Sequence, residues 1–121
     1  MNEPLNPLAS LLAARALITD PANWTQEAYA RNVRGDSVLP LDPDAKCFCT
    51  MGAMYRANGI NGTDQHVPGR GFLNKAVRAL QLDKPNLVAT GPIDLNDHTD
   101  HATALEMFDV AIVLAQNGAA A

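Results

Sequence analysis

The 121-residue chain has few aromatic residues and little charge: 5% Phe, Trp and Tyr, and 18% Asp, Glu, Lys and Arg. Its hydrophobic share of 47% is nevertheless typical of a globular rather than a disordered chain. Much of that share is alanine, so we expect a core of aliphatic side chains in closely packed helices. The length is that of one domain, and we expect residues 1–121 to form a single domain.

Long apolar runs are also missing. None approaches the roughly 18 residues that a membrane-spanning helix needs, and no basic segment precedes an apolar stretch near the N-terminus. The formal net charge of -4 disfavours a non-specific nucleic-acid binder, which needs a basic face. We therefore expect a cytoplasmic protein whose partner is neither a membrane nor a nucleic acid, although a local basic patch formed by Arg70, Lys75 and Arg78 stays open.

Cysteine is scarce, with Cys47 and Cys49 one residue apart. Two cysteines at this spacing do not bridge each other easily, and they are too few for the disulfide framework of a small secreted protein. We expect both thiols to be reduced.

Two segments predict an N-terminal and a central helix. Residues 7–19 have apolar side chains at helical spacing behind a capping Asn6. An Asp-Pro-Asp start at Asp42 predicts a central helix over residues 43–58. Gly52 would then lie in mid-helix, where glycine costs about 1 kcal/mol relative to alanine. This cost predicts that another backbone approaches Gly52 closely.

Two further helices are predicted in the second half. A loop over residues 60–71 precedes a short third helix from Phe72 to Leu80. The polar cluster at residues 96–99 is typical of a helix cap, with Asp97 or Thr99 as the capping residue. The last helix follows this cluster and ends near residues 117–118.

Strand signals are short. The sequence Arg34-Gly35-Asp36 predicts a turn between two strands, and Pro40 keeps the second strand at a sheet edge. A helical turn at residues 25–30 is the competing interpretation, and residues 87–89 are a candidate third strand. The overall prediction is a mainly α (α+β) fold: three to four packed helices with a short antiparallel hairpin or three-stranded sheet at one side. We expect Trp24 to anchor the core between the first helix and the hairpin.

Cys47, Cys49, His98 and His101 are four side chains of the kinds that bind zinc. If the central helix starts at residue 43, the two thiols point about 200° apart and cannot bind one ion. They can do so only if the helix starts at Cys49 and leaves Cys47 extended. Two buried thiols are the simpler interpretation, since free cysteine is among the most buried residue types.

The same cysteines are candidate nucleophiles, because a thiol at a helix N-terminus has a lowered pKa. The fold would have to bring a base to them, from among His66, His98 and His101. The residues around the cysteines do not form a known catalytic signature. A thiol-dependent enzyme or a zinc-binding domain therefore remains the alternative function.

A polar surface is the favoured site. The cluster at residues 96–99 carries more polar side chains than a helix cap requires, and the surplus suggests contact with a ligand or partner. Gly69-Arg70-Gly71 could surround a phosphate but lacks the spacing of a glycine fingerprint, so a loop is favoured and no cofactor is predicted. The candidate surface residues are Arg56, Arg70, Asn96, Asp97, His98 and Thr99.

Several residues together resemble a family of small bacterial and phage proteins known only as a domain of unknown function. The shared pattern covers most of the chain outside residues 60–95. Its parts are Trp24-Thr25-Gln26, Asp42-Pro43-x-Ala45, Cys47-x-Cys49-x-x-Gly52-Ala53, Asn96-Asp97-x-Thr99 and Phe108-Asp109-x-Ala111-Ile112. The resemblance implies a bacterial or phage cytosolic setting and assigns no activity. We expect a small non-enzymatic binding or accessory protein with an unidentified protein partner or small ligand.

Overall fold

The computed structural model describes residues 5–62 and 66–118 and shows an α+β fold. Within these ranges, no helix combines the length and apolar composition that a bilayer crossing requires. The described residues form five α-helices and three short strands: α1 Pro7–Leu17, β1 Ala30–Arg31, β2 Ser37–Val38, β3 Cys47–Phe48, α2 Thr50–Ala57, α3 Arg70–Asp83, α4 Pro92–His98 and α5 His101–Gln116.

The three strands form one antiparallel sheet in the order β2-β1-β3. The predicted turn joins β1 to β2, and β2 lies at the edge as Pro40 indicated. Asn32 closes the turn because its side-chain Oδ1 accepts hydrogen bonds from the backbone N–H groups of Arg34 and Asp36, both at 3.0 Å. Gly35 completes it at φ 85°, in the left-handed region that glycine adopts without strain. The predicted hairpin is confirmed.

The predicted start of the central helix is wrong. Asp42 caps a turn instead, since its carboxylate accepts from the backbone N–H of Asp44 at 2.8 Å. The chain then enters β3, and α2 begins only after Cys49, whose Sγ accepts from the N–H of Gly52 at 3.3 Å. An aspartate that caps a turn and one that caps a helix use the same local hydrogen bonds, so sequence alone did not separate them.

Gly52 confirms the predicted close approach. A Cβ added at this position would lie 1.8 Å from the carbonyl oxygen of Tyr29, which is far inside any real contact. The same Tyr29 oxygen accepts from the N–H of Cys49 at 3.2 Å. The segment before β1 therefore lies directly on the first turn of α2, and only glycine leaves room for it.

The region before the last helix also differs from the prediction. Residues 96–99 close the short helix α4, which was not predicted, and Asp100 caps α5 by accepting from the N–H of Thr103 at 2.8 Å. Residues 87–89 are not a strand. The side-chain Nε2 of Gln81 donates to the carbonyls of Leu87, at 3.4 Å, and Ala89, at 2.8 Å, so a side chain takes up these acceptors instead of a sheet.

The buried apolar side chains form one cluster made mostly of Leu, Met, Ala, Val and Ile with a few aromatic rings. Helix α5 packs against α1 and α3, and α1 packs against α2. Tyr55 is among the largest fully buried side chains, and its ring meets that of Tyr29 edge-on at 5.4 Å. This core holds α4 and the first turn of α3 side by side, which positions the candidate site. The predicted loop over residues 60–71 includes residues 63–65, which lie outside the described residues.

Candidate functional site

Asn96 is a fully buried hydrogen-bonding centre. Its Oδ1 accepts from the indole Nε1 of Trp24 at 2.8 Å, and from the backbone N–H and the hydroxyl of Thr50 at 3.0 and 2.9 Å. Its Nδ2 donates to the carbonyl of Thr25 and to Asp97 Oδ1, both at 3.1 Å. These contacts satisfy both ends of the amide, so the Asn96 side chain joins three chain segments and is not free for a ligand.

Thr99 also has internal partners. Its hydroxyl donates to the carbonyl of Leu95 at 2.5 Å, and its own carbonyl accepts from Gln26 Nε2 at 2.7 Å. The same Gln26 nitrogen donates to the carbonyl of Asn96 at 3.0 Å. Thr99 therefore helps to attach residues 24–26 to the end of α4.

Arg56 lies on a different surface. Its Nη1 donates to the carbonyls of Pro40 and Asp42, at 2.9 and 3.0 Å, and its guanidinium lies 5.7 Å from the centre of the Phe48 ring. These contacts hold the turn after β2 against α2. The structure does not bring Arg56 together with the other candidate residues.

The two cysteines have separate environments. Cys49 is 3% exposed, and burial raises the pKa of its thiol to about 11, so the group is protonated at neutral pH. The Cys47 thiol lies 3.8 Å from the carbonyl of Arg31. At Cys49, burial outweighs the effect of the helix N-terminus, which would otherwise activate a thiol nucleophile.

The four candidate zinc ligands do not assemble, although α2 does start beyond Cys49 and leaves Cys47 extended. His98 Nδ1 lies 3.0 Å from the carbonyl of Asp94, and His101 Nε2 lies 2.7 Å from that of Ile18. Across the described ranges, no group of three or more His, Cys, Asp and Glu side chains is placed to hold a metal ion.

Arg70, Asp97 and His98 come together around a groove of about 360 Å³ between the first turns of α3 and helix α4, termed here the α3–α4 groove. Arg70 and Asn74 lie one helical turn apart on the same face of α3. The opposite wall is α4 and the turn before it. The lining residues are Arg70, Asn74, Thr90, Gly91, Pro92, Ile93, Asp94, Asp97 and His98.

Asp94 and His98 pair with each other across one turn of α4. Asp94 Oδ1 lies 2.8 Å from His98 Nδ1, and Asp94 Oδ2 accepts from the backbone N–H of Thr90 at 2.9 Å. The Asp94 backbone carbonyl and its carboxylate raise the pKa of the His98 imidazole. The Asp94 carboxylate is therefore engaged within α4 and the turn before it, with one oxygen at His98 and the other at Thr90.

Asp97 separates this groove from a second one of about 320 Å³, which contains Glu27, Tyr29 and Cys49 and shares Ile93 and Asp97 with the first. Asp97 Oδ1 accepts from the backbone N–H of Glu27 at 2.9 Å, in addition to Asn96. Glu27 adopts φ 64°, a left-handed conformation that is uncommon outside glycine. This contact with Asp97 therefore helps to hold a strained backbone in place.

Sequence reasoning missed Asn74, Ile93 and Asp94. The Arg70–Asn74 and Asp94–His98 pairs both have the four-residue spacing that places side chains on one face of a helix, and this was an available signal. The second pair was overlooked because α4 was interpreted as a helix cap.

The model of a family of unknown function, DUF6197, matches residues 2–114. The chain belongs to this family. This confirms the predicted resemblance to a domain of unknown function. No curated protein and no solved structure matches the chain.

The structure places two parts of the resemblance pattern against each other in this DUF6197 member. Trp24, Thr25 and Gln26 each make a hydrogen bond to Asn96, and Gln26 also binds Thr99. These pattern residues therefore maintain the fold around α4. The groove beside them uses Arg70, from a segment outside the pattern, and the Asp97 carboxylate.

Proposed function

We propose that this DUF6197 protein is a non-enzymatic binding protein whose small polar ligand occupies the α3–α4 groove. The Arg70 guanidinium carries the proposal. Within residues 5–62 and 66–118 it has no hydrogen-bonding or ion-pairing partner, whereas the side chain of Arg31 makes three hydrogen bonds inside the fold and that of Arg56 makes two. An unpaired guanidinium in a groove that also contains a carboxylate is a ready contact for a ligand.

Thiol or metal catalysis has less support. The buried Cys49 thiol caps a helix, its pKa of about 11 keeps it protonated, and the two candidate histidines contact backbone carbonyls elsewhere. The groove itself contains no pair of nucleophile and base, since His98 is turned to Asp94. Binding without chemistry is therefore the function that these contacts favour.

A ligand screen by NMR tests this function. A mixed library of small acids, amines and zwitterions is titrated into the labelled protein, and backbone amide shifts are followed at Asn74, Ile93 and His98. We expect hits that move these amides and lose affinity by about tenfold in Arg70→Gln, because a charged hydrogen bond is lost.

Arg78→Gln is the matched control. Arg78 is an exposed residue of the same helix that does not line the groove, so its loss should leave the affinities unchanged. A library without a single hit at the groove, or hits that are equally weakened by both substitutions, would contradict the proposed function.

We further propose a bacterial or phage cytoplasm as the setting, with an accessory role in a phage or mobile element. The family resemblance supports the setting, and so do Cys47 and Cys49, which are both free thiols. The positions of DUF6197 genes in bacterial and phage genomes test the association. Scattered positions without phage or mobile-element neighbours would count against it.

A further inference from the structure

We infer that the ligand of the α3–α4 groove is a small zwitterion, with a carboxylate bound at Arg70 and an ammonium group bound at Asp97. The inference rests on the proposed function and names the ligand class for the same groove. Its basis is the set of charged groups in the groove that have no partner within the described residues.

The groove contains one guanidinium, that of Arg70, two carboxylates, those of Asp94 and Asp97, and the imidazole of His98, which pairs with Asp94. Asp94 is occupied, because its two oxygens contact His98 and the N–H of Thr90. No ion pair joins Arg70 to Asp97 among the contacts of the described residues. One positive and one negative group therefore remain unneutralised on opposite walls of the same groove.

The α3 wall suits a carboxylate. A guanidinium binds a carboxylate through two parallel N–H groups, and this geometry is stronger and more specific than a single hydrogen bond. Asn74 lies one turn further along the same face and adds an amide donor. The Arg70 guanidinium can only donate hydrogen bonds, whereas the Asn74 amide can donate or accept them.

The α4 wall suits an ammonium group. Asp97 Oδ1 is held by the N–H of Glu27 and by Asn96, which fixes the orientation of the carboxylate. Its Oδ2 accepts no hydrogen bond from the part of the chain that the structure describes. A carboxylate oriented in this way loses little conformational freedom on binding a cation, so it is preorganised for one.

A simple anion is a poorer match. A phosphate bound at Arg70 would lie in a groove that also contains the Asp97 carboxylate, and like charges repel. The groove volume of about 360 Å³ is at the small end of ligand sites, which favours one small molecule. Ile93 and Pro92 add apolar surface for the carbon skeleton between the two charged ends.

The experiment compares zwitterions with singly blocked analogues. Leucine and the dipeptide Gly-Leu are the two zwitterionic probes, and each is matched with its N-acetylated form, which keeps the carboxylate, and its C-terminal amide, which keeps the ammonium group. Dissociation constants are measured by NMR at low ionic strength. We expect at least one zwitterion to bind about tenfold or more tightly than both of its blocked analogues.

Substitutions assign the two ends. In Arg70→Gln we expect each zwitterion to bind no more tightly than its C-terminal amide analogue, and we expect the affinity of that analogue to be the same as in the wild type. Asp97→Asn retains an acceptor for the N–H of Glu27. In this variant we expect the zwitterion to bind no more tightly than its N-acetyl form, while the affinity of the N-acetyl form stays unchanged. If Asp97→Asn does not fold, the Arg70→Gln comparison with both blocked probes decides alone. Arg78→Gln should behave as the wild type throughout.

Two results would overturn the inference. One is equal binding of a zwitterion and its N-acetyl form, which would mean that Asp97 contributes nothing. The other is no binding of any of the six probes. In both cases the proposed function survives if the library screen has found another groove ligand that Arg70→Gln weakens and Arg78→Gln does not, and it fails if that screen is empty or if both substitutions weaken its hits equally.

Discussion

Asn96 stands out in the sequence, and the structure shows that its side chain makes hydrogen bonds within the fold. Its place in a polar cluster suggested a ligand contact. Its hydrogen-bonding partners Trp24, Thr25 and Thr50 lie 46 to 72 residues away in the chain, so no local pattern could reveal that its amide is fully used inside the fold. The neighbouring Asp97 was singled out by the same cluster, and its role in the groove remains a prediction.

Gly52 offers a sharp test at the same scale. We expect Gly52→Ala to lower the free energy of unfolding by about 3 kcal/mol or more, because the new Cβ would meet the carbonyl oxygen of Tyr29 and a backbone group cannot move aside easily. The gain of about 1 kcal/mol from the helix propensity of alanine does not offset such a clash. Urea unfolding followed by circular dichroism measures the difference.

Gly91→Ala is the control for this substitution. Gly91 has an extended backbone, with φ 179°, and no atom lies within 4 Å of an added Cβ. We expect its unfolding midpoint to change little. A Gly52→Ala protein as stable as Gly91→Ala would refute the close backbone contact.

At the scale of elements, helix starts were the hardest feature to place. Asn6 was correctly predicted to cap α1, and its Oδ1 accepts from the N–H of Ala9 at 2.8 Å. Asp42 offered the same local signal but caps a turn. The helix α2 begins at Thr50 and is capped by Cys49, a residue type that is not among the preferred caps. Pairing of β3 with β1 decided between the two, and this pairing is not a local property.

Asp100 allows a test of helix capping and of its pH dependence. Hydrogen bonds from the hydroxyl and the backbone N–H of Thr103 hold the pKa of Asp100 below its ordinary value of 3.8. A carboxylate whose pKa is lowered by folding stabilises the protein above its unfolded-state pKa, and this contribution is lost as the pH falls through the folded-state pKa. We expect Asp100→Ala to reduce stability by about 1 kcal/mol at pH 7.

The difference between the wild type and Asp100→Ala should shrink as the pH falls below 3.8. Thermal or urea unfolding over a series of pH values measures it. Asp44→Ala removes an exposed acidic residue outside any helix and should produce no comparable change. A difference that stays constant down to the lowest pH would show that the Asp100 carboxylate does not act as the cap.

At the scale of the whole molecule, Cys47 and Cys49 differ in how far the fold buries their thiols. We expect iodoacetamide at pH 8 to alkylate the half-buried Cys47 in the native protein much faster than Cys49. The core covers Cys49, and its pKa of about 11 leaves little thiolate for the reaction. Mass spectrometry of the labelled peptides follows each residue separately.

A Cys47→Ser protein isolates the second thiol. Its alkylation rate should rise with urea as the population of unfolded chains rises, because Cys49 becomes accessible only when the core opens. Labelling of Cys49 as fast as Cys47 in native buffer would contradict its buried position and would reopen the thiol-dependent alternative.

The sequence by itself determined the features that depend on neighbouring residues: the cap and body of α1, the turn of the hairpin, the edge position of β2, the end of α5 and the tight contact at Gly52. It also determined the α+β class and membership of DUF6197. The tertiary structure decided which polar residues are used internally and which are left free. That decision depends on hydrogen bonds between distant segments, such as Trp24 with Asn96, and on the packing that leaves Arg70 and Asp97 in one groove.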